Sequence, residues 1–278
     1  MALSLDPLPG GFGAEVSVDL AGAEVPSAEL ADALHHHRLL VFPRQHLNHA
    51  DLLHAAARFG TVDTDVDRTY AVPGFPGITT VSNIVDNGSR VGIYDGDDEE
   101  EWHADNSFKP ELTQATLLYS VITPEAGGQT RFADATRAYA DLSPALKERI
   151  GGLCAVHSIQ QLSFRQEQAS GGQSSAAAGS LAARPDVEHP LVLTHPVTGA
   201  RSLLLGSMVI SGIACMDRDD SASLLAKLLA HTTSSPYVYA HRWRQGDLVI
   251  WDNRATLHTA SPCDSSRHHR LLYRASIR

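Results

Sequence analysis

The stretch "RLLYRASI", residues 270–277, alternates: Arg270, Leu272, Arg274 and Ser276 share one face of an extended strand, and Leu271, Tyr273, Ala275 and Ile277 share the other. Both rows are largely apolar apart from the two arginines on one side. A guanidinium is costly to bury without an anion, and its planar fork matches a carboxylate in bidentate fashion. A strand buried on both faces therefore asks for a dicarboxylate, or for a carboxylate plus an acidic substrate group, beside Arg270 and Arg274. A sheet with one face in water would carry the same arginines at no cost, and the strand alone leaves both readings open.

Upstream, short β-branched runs separated by Gly, Asp and Asn start at "GITTVSNIV" (77–85) and suit an antiparallel β fold. The clearest further strands are "ATLLYSVIT" (115–123), "PLVLTHPVTGARSLLLG" (190–206) and "GDLVIWDN" (246–253). Helices intervene. "SAELADALHHHRLLVFP" (27–43) reads as a helix capped by Ser27, then a strand Leu39 to Phe42 that Pro43 ends. "NHADLLHAAARFG" (48–60) reads as a helix with Asn48 as cap and Gly60 as terminator. Ser143 and Pro144 start the second segment of a helical insert at 134–150, and Leu224, Leu225, Leu228 and Leu229 line one face of a helix over 219–233. The class is mainly β with helical inserts.

A chain of 278 residues with 43% hydrophobic and 19% charged residues can bury a full core. Its net charge of −10 argues against nucleic acid and anionic membrane as partners, because both demand a basic surface. Cys154, Cys215 and Cys263 are odd in number and far apart, so neither a disulfide framework nor a thiolate zinc site is indicated. With no signal-like N-terminus and no 18-residue apolar stretch, a cytoplasmic setting is expected. Residues 166–187 are rich in Gly, Ser and Ala and cannot bury themselves. The organisation expected is one domain, 1–278, with a flexible lid at 161–187.

In "EEEWHADNSF" (99–108), a strand would point His103 and Asp105 to the same side, enough for two metal ligands. His258, in "WDNRATLHTASPCDSSRHHRLLYR", is the best-placed third. Two histidines and a carboxylate on one face of an octahedral metal leave three positions open, as in non-haem Fe(II) oxygenases. His268 and His269 sit in a polar turn and read as solvated. His35, His36 and His37 are consecutive on a helix, point in different directions and do not share an ion.

"WHADNSF", "PEAGGQTRFAD", "WDNRATLHTA" and "RLLYR" together resemble the taurine dioxygenase and 2,4-dichlorophenoxyacetate dioxygenase (TauD/TfdA) family of Fe(II)/2-oxoglutarate-dependent oxygenases, from about Leu39 to the C-terminus. The resemblance implies a double-stranded β-helix (jelly-roll) core flanked by helices, with Fe(II), 2-oxoglutarate and O2 as cofactors. It implies His103, Asp105 and His258 as iron ligands, Arg270 and Thr130 on the distal carboxylate of 2-oxoglutarate, and Arg274 on the substrate or the near carboxylate. The reaction implied is oxidation of an unactivated C–H of a small molecule, with release of succinate and CO2. Because Asp105 is present, not Gly or Ala, the vacancy that marks related halogenases is missing, and hydroxylation or another oxidation begun by hydrogen abstraction is expected. Trp102 and Trp251 are expected to pack against the ligand strands.

The sequence also departs from the taurine enzyme. Glu99 stands where that enzyme has an asparagine, and its substrate histidine has no counterpart near Asp65, Asp67 and Tyr70, so taurine is not the expected substrate. Acidic residues from Asp97 to Glu100 would face an amine, favouring an amino-acid-like or amine-bearing molecule; as a solvated face they would do nothing. Asn83, Glu99, Asn106 and Arg274 are the substrate candidates. A homo-oligomer is allowed. Two competing readings, a non-catalytic metal-dependent β-barrel binding protein and a zinc hydrolase, need no dicarboxylate clamp.

Overall fold

The computed structural model describes residues 3–22, 25–65, 68–93, 96–97, 99–161 and 184–278. Most of the expected lid, residues 162–183, lies outside the described residues, as do Asp67 and Asp98. Strands β1 (Leu5–Pro7), β2 (Ala14–Val16), β3 (Leu39–Phe42), β4 (Ala71–Val72), β5 (Phe75–Ser82), β6 (Val85–Asp86), β7 (Ser89–Arg90), β8 (Ala115–Ile122) and β9 (Thr130–Asp134) make up the first half. They are followed by β10 (Cys154–His157), β11 (Val187–Pro190), β12 (Val192–Thr194), β13 (Arg201–Leu203), β14 (Ile210–Ile213), β15 (Val238–His241), β16 (Leu248–Asp252), β17 (Thr256–Ala260) and β18 (Leu271–Ile277). The main helices are α1 (Ser27–His37), α2 (His49–Ala57), α3 (Ala135–Ala140), α4 (Pro144–Ile150) and α5 (Arg218–Thr232).

Eight strands form one sheet in the order β1-β2-β3-β16-β8-β18-β5-β4. Every pairing in it is antiparallel except β2 with β3. A smaller sheet, β15-β9-β17, a third, β11-β10-β14, and the pairs β12-β13 and β6-β7 accompany it in a jelly-roll fold that, among the described residues, does not close into a barrel. Strand β3 shows why "LLVF" does not alternate in polarity. Leu40 and Phe42 pack with α1 and α2 through Leu30, Leu34 and Leu52, while Leu39 and Val41 join the inner cluster of Leu118, Phe132, Trp243, Val249, Trp251 and Leu272. The large sheet is thus covered on both sides, which requires apolar residues at successive positions.

That coverage decides between the two readings of β18. Leu272 and Ala275 are buried on opposite faces, and Arg270, just before the strand, is only 2% exposed. The arginine is an interior residue, not a solvated one.

Local signals fare unevenly. Asn48 caps α2 in a capping box with Asp51, and the Ser143 side chain accepts from the Leu146 amide at the start of α4. Ser27 does not cap α1. Proline 26 occupies that position in an extended conformation and Ser27 is the first helical residue, because proline pre-sets the entry one residue earlier. Gly60 does not terminate α2, which ends at Ala57 with Arg58 still right-handed. Its role is close approach: a Cβ there would lie 2.7 Å from Cγ2 of Ile277.

Packing outweighs capping in holding α2 against the sheet. In urea unfolding, Leu52→Ala is expected to cost about 2–5 kcal/mol and Asn48→Ala about 1 kcal/mol; equal costs would show that the helix is held by its cap.

Candidate metal centre

His103 and His258 form an isolated antiparallel bridge between the 99–108 loop and β17, exchanging two backbone hydrogen bonds of 3.0 and 2.9 Å. The bridge places the rings 4.1 Å apart, centroid to centroid. His103 Nδ1 lies 2.7 Å from the Glu101 carbonyl. A carbonyl only accepts, so Nδ1 carries the proton and Nε2 keeps its lone pair. That Nε2 is 4.0 Å from Asp105 Oδ1, and His258 Nε2 is 3.6 Å from Asp105 Oδ2. The three side chains are buried and offer one ligand atom each, all within 4.8 Å of one another.

The protonation states suit a cation. Burial pushes the Asp105 carboxyl up, but His258, Arg274, His103 and the Thr116 hydroxyl outweigh it and hold the group at about 2. Burial, then His103, lowers the His258 imidazole to about 3. Asp105 Oδ2 is buried without a hydrogen-bond partner. An ionised oxygen in that state is costly unless a metal takes it.

Asn253 sets the ligand geometry. Its Oδ1 accepts from the Asp105 amide at 3.1 Å and from Trp251 Nε1 at 3.0 Å, while its Nδ2 donates to Thr116 Oγ1 at 2.9 Å. Trp251 is fully buried, with its ring centroid 4.7 Å from that of His258. Gly206 lets another chain segment pass close: a Cβ there would sit 3.1 Å from His103 Cα.

The same interior holds Arg270 and Thr130, the two residues expected at the distal carboxylate. Arg270 Nε donates to the Gly128 carbonyl at 3.1 Å, and Nη2 lies 3.4 Å from Thr130 Oγ1, which also accepts from Trp243 Nε1 at 3.0 Å. Gly128 has φ +63, and a Cβ on it would come 3.2 Å from Arg270 Cδ and 2.8 Å from Pro124, so the second glycine of "GGQT" makes room for the arginine stem. Arg274 reaches inward to 3.5 Å from Asp105 Oδ1 with 26% of its side chain exposed.

The remaining candidates are turned toward the protein. Asn83 accepts from the Arg270 amide at 2.8 Å and donates to the His268 carbonyl at 2.9 Å, so it fixes the approach to Arg270. Glu99 pairs with Arg131, whose guanidinium lies over Trp102, 5.2 Å from its ring centroid. Asn106 donates to Thr113. Asp65 pairs with Lys109 and Arg184, and Asp97 holds Ser265. Glu100 is the acidic residue at the centre, 3.9 Å from His103 Nε2.

A second cluster, His35, His195 and Asp252, also has metal-like spacing. His195 Nδ1 accepts from the Val197 and Thr198 amides, so Nε2 carries the proton it gives to Asp252 at 2.9 Å. Arg254 binds both oxygens of Asp252 at 2.9 and 2.6 Å. The cluster is a closed ion-pair network that has no lone pair to offer a cation through His195. It was not legible from "LTHP" and "WDNR", which lie far apart in sequence.

The family profile described as "Taurine catabolism dioxygenase TauD, TfdA family" matches residues 4–276. The "(S)-phenoxypropionate/alpha-ketoglutarate-dioxygenase" of Sphingobium herbicidovorans is 33% identical, over 99% of this chain and 95% of its own. The "Pentalenolactone F synthase" of Streptomyces arenae is 30% identical, again over 99% and 95%. A crystal structure of a taurine dioxygenase from Burkholderia xenovorans matches with a TM-score of 0.80 at 27% identity, over 100% of this chain and 89% of that one. The crystal structure of AAD-2 in complex with Mn(II) and N-oxalylglycine matches with a TM-score of 0.80 at 29% identity, over 100% and 97%.

Asn253→Ala is expected to weaken Mn(II) binding by about 10–100-fold in calorimetric titration. The buried His157, which burial lowers to about 3, gives a pH signature. Between pH 6.5 and 3 the unfolded chain binds more protons at this residue than the folded one, so stability falls as pH is lowered through that window. The slope is up to about 1.4 kcal/mol per pH unit. His157→Gln should flatten the pH dependence of the urea midpoint; an unchanged slope would contradict the assignment.

Proposed function

The chain belongs to the TauD/TfdA family of Fe(II)/2-oxoglutarate-dependent dioxygenases that act on small molecules, and from that premise we propose that His103, Asp105 and His258 hold its iron. The observation that carries the proposal is the His103–His258 bridge, which brings three ligand atoms within 4.8 Å around a buried carboxylate oxygen. We further propose that Arg270 and Thr130 bind the distal carboxylate of 2-oxoglutarate.

When bound, Fe(II) with 2-oxoglutarate and O2 supplies an oxidant: one oxygen atom enters succinate as CO2 leaves, and the other goes to the oxidised substrate C–H, a 1.14.11-type reaction. The protein contributes orientation and dryness. His103 presents Nε2 because Glu101 holds the proton on Nδ1, and Asn253 keeps the Asp105 backbone in place. Leu118, Phe132, Trp251 and Leu272 exclude water from the interior. The fork of Arg270 and the Thr130 hydroxyl, which lie side by side, would hold the distal carboxylate of the cosubstrate and so orient it.

The substrate we propose is amino-acid-like or amine-bearing. Arg274, partly open and 3.5 Å from Asp105, would take its acidic group, as the phenoxypropionate named for one relative suggests. Glu100, 3.9 Å from His103 Nε2, would take a cationic group. No described helix is long and apolar enough to cross a membrane. The cytoplasmic setting is supported by Cys154, Cys215 and Cys263, all free thiols.

Anaerobic Fe(II) plus 2-oxoglutarate should give a weak visible charge-transfer band that His103→Ala abolishes. No band in iron-loaded wild type would sink the oxygenase reading and leave a binding protein. Arg270→Ala should raise the KM for 2-oxoglutarate by at least about 10-fold, the loss of a hydrogen bond to a charged group. Succinate release followed across amines, amino acids and carboxylates would identify the substrate class, and Glu100→Gln should lower turnover of the amines selectively.

A further inference from the structure

Ser120 lies on β8 and is 0% exposed, yet its hydroxyl has no hydrogen-bond partner among the described residues. A buried hydroxyl left in that state is unfavourable, and an alanine would fill the position without the penalty. Its backbone is fully engaged, with the amide donating to the Asp247 carbonyl at 2.9 Å and the carbonyl accepting from Gly246 at 2.9 Å. The side-chain hydroxyl is therefore the one polar group of Ser120 without a partner among the described residues.

Strand alternation says where that side chain faces. Thr116, Leu118 and Ser120 share one face of β8. Thr116 accepts from Asn253, whose Oδ1 holds the Asp105 amide, and Leu118 belongs to the inner cluster with Phe132, Trp243 and Leu272. In register with β18, Thr116 opposes Ser276, Leu118 opposes Arg274 and Ser120 opposes Leu272. The register slips before Leu272, with Leu271 opposite Ile122, so the inner row of β8 runs from Thr116 toward the end of β18 that Arg270 precedes, with Ser120 at the last regular pairing. Leu118 and Leu272, the neighbours of Ser120 along and across the strands, share their cluster with Trp243, which donates to Thr130, the hydroxyl that Arg270 also approaches.

We infer that the Ser120 hydroxyl is a third protein donor to the distal carboxylate of 2-oxoglutarate, beside Arg270 and Thr130; the inference rests on the cosubstrate reading above. A carboxylate has lone pairs for several donors, and an O–H donated to it is a charge-assisted bond. Binding of the dicarboxylate thus relieves the unsatisfied hydroxyl, which adds to the preference for a ligand with a second acid group over a plain 2-oxo acid.

The test is anaerobic calorimetry on Mn(II)-loaded protein, titrated with 2-oxoglutarate and with 2-oxovalerate, which has no distal carboxylate. Ser120→Ala should weaken 2-oxoglutarate by about 10-fold, leave 2-oxovalerate and Mn(II) binding unchanged, and leave the ligand-free melting temperature unchanged or higher. Ser120→Cys, with a weaker donor of similar size, should fall between. Wild-type affinity for 2-oxoglutarate in Ser120→Ala, an equal loss for both acids, or a lower ligand-free melting temperature would overturn the inference. Arg270→Ala separates the two levels: if it binds 2-oxoglutarate as well as wild type does, the cosubstrate reading falls and takes Ser120 with it. If only Ser120→Ala is silent, that reading stands and Ser120 has no part in it.

Discussion

Two backbone hydrogen bonds between His103 and His258 organise the centre of this protein. They tie a loop that carries no regular strand of its own to β17, which is in turn held in register by β9, with His258 opposite Phe132. Without them, His103 and Asp105 would belong to a polar loop and His258 to a separate strand. With them, a carboxylate and two imidazoles meet in an interior where neither charge nor proton has much room. The preference of buried groups for compensation is what supports reading the trio as a cation site.

The large sheet extends the same constraint. Its outer face is closed by α1 and α2 and its inner face by a cluster that includes Phe132, Trp243 and Trp251, so a polar group between the sheets is costly unless partnered. Arg270 does so with Gly128 and Thr130, Asn253 with Asp105, Trp251 and Thr116, and His195 with Asp252. The first two arrangements are positional: they fix Arg270 beside Thr130 and Asp105 beside the two histidines, whereas His195 with Asp252 forms a separate network. Family membership and the proposed site are compatible with one another.

Much of this was legible in the residues. The period-two rows of "RLLYRASI" placed Arg270 and Arg274 on one face, and the structure carries both toward the interior that also holds Asp105 and Thr130. The signals of Asn48 and Ser143 predicted their helix starts because a cap is a local contact. Ser27 misled because a neighbouring proline decided the entry. Asn83 and Glu99 looked like free polar groups near the site; their partners, Arg270 and Arg131, lie 187 and 32 positions away, and no local pattern shows them. Trp243 and Ser120 were hidden for the same reason, since each acquires meaning only when β8, β9 and β18 are brought together.

The central claim is that one metal ion binds among His103, Asp105 and His258. It is tested most directly by anomalous diffraction at the iron absorption edge from crystals loaded anaerobically with Fe(II). The account predicts a single peak per chain, bonded to His103 Nε2, His258 Nε2 and the Asp105 carboxylate. A peak at His35, His195 and Asp252, or none between the two bridged histidines, would contradict it.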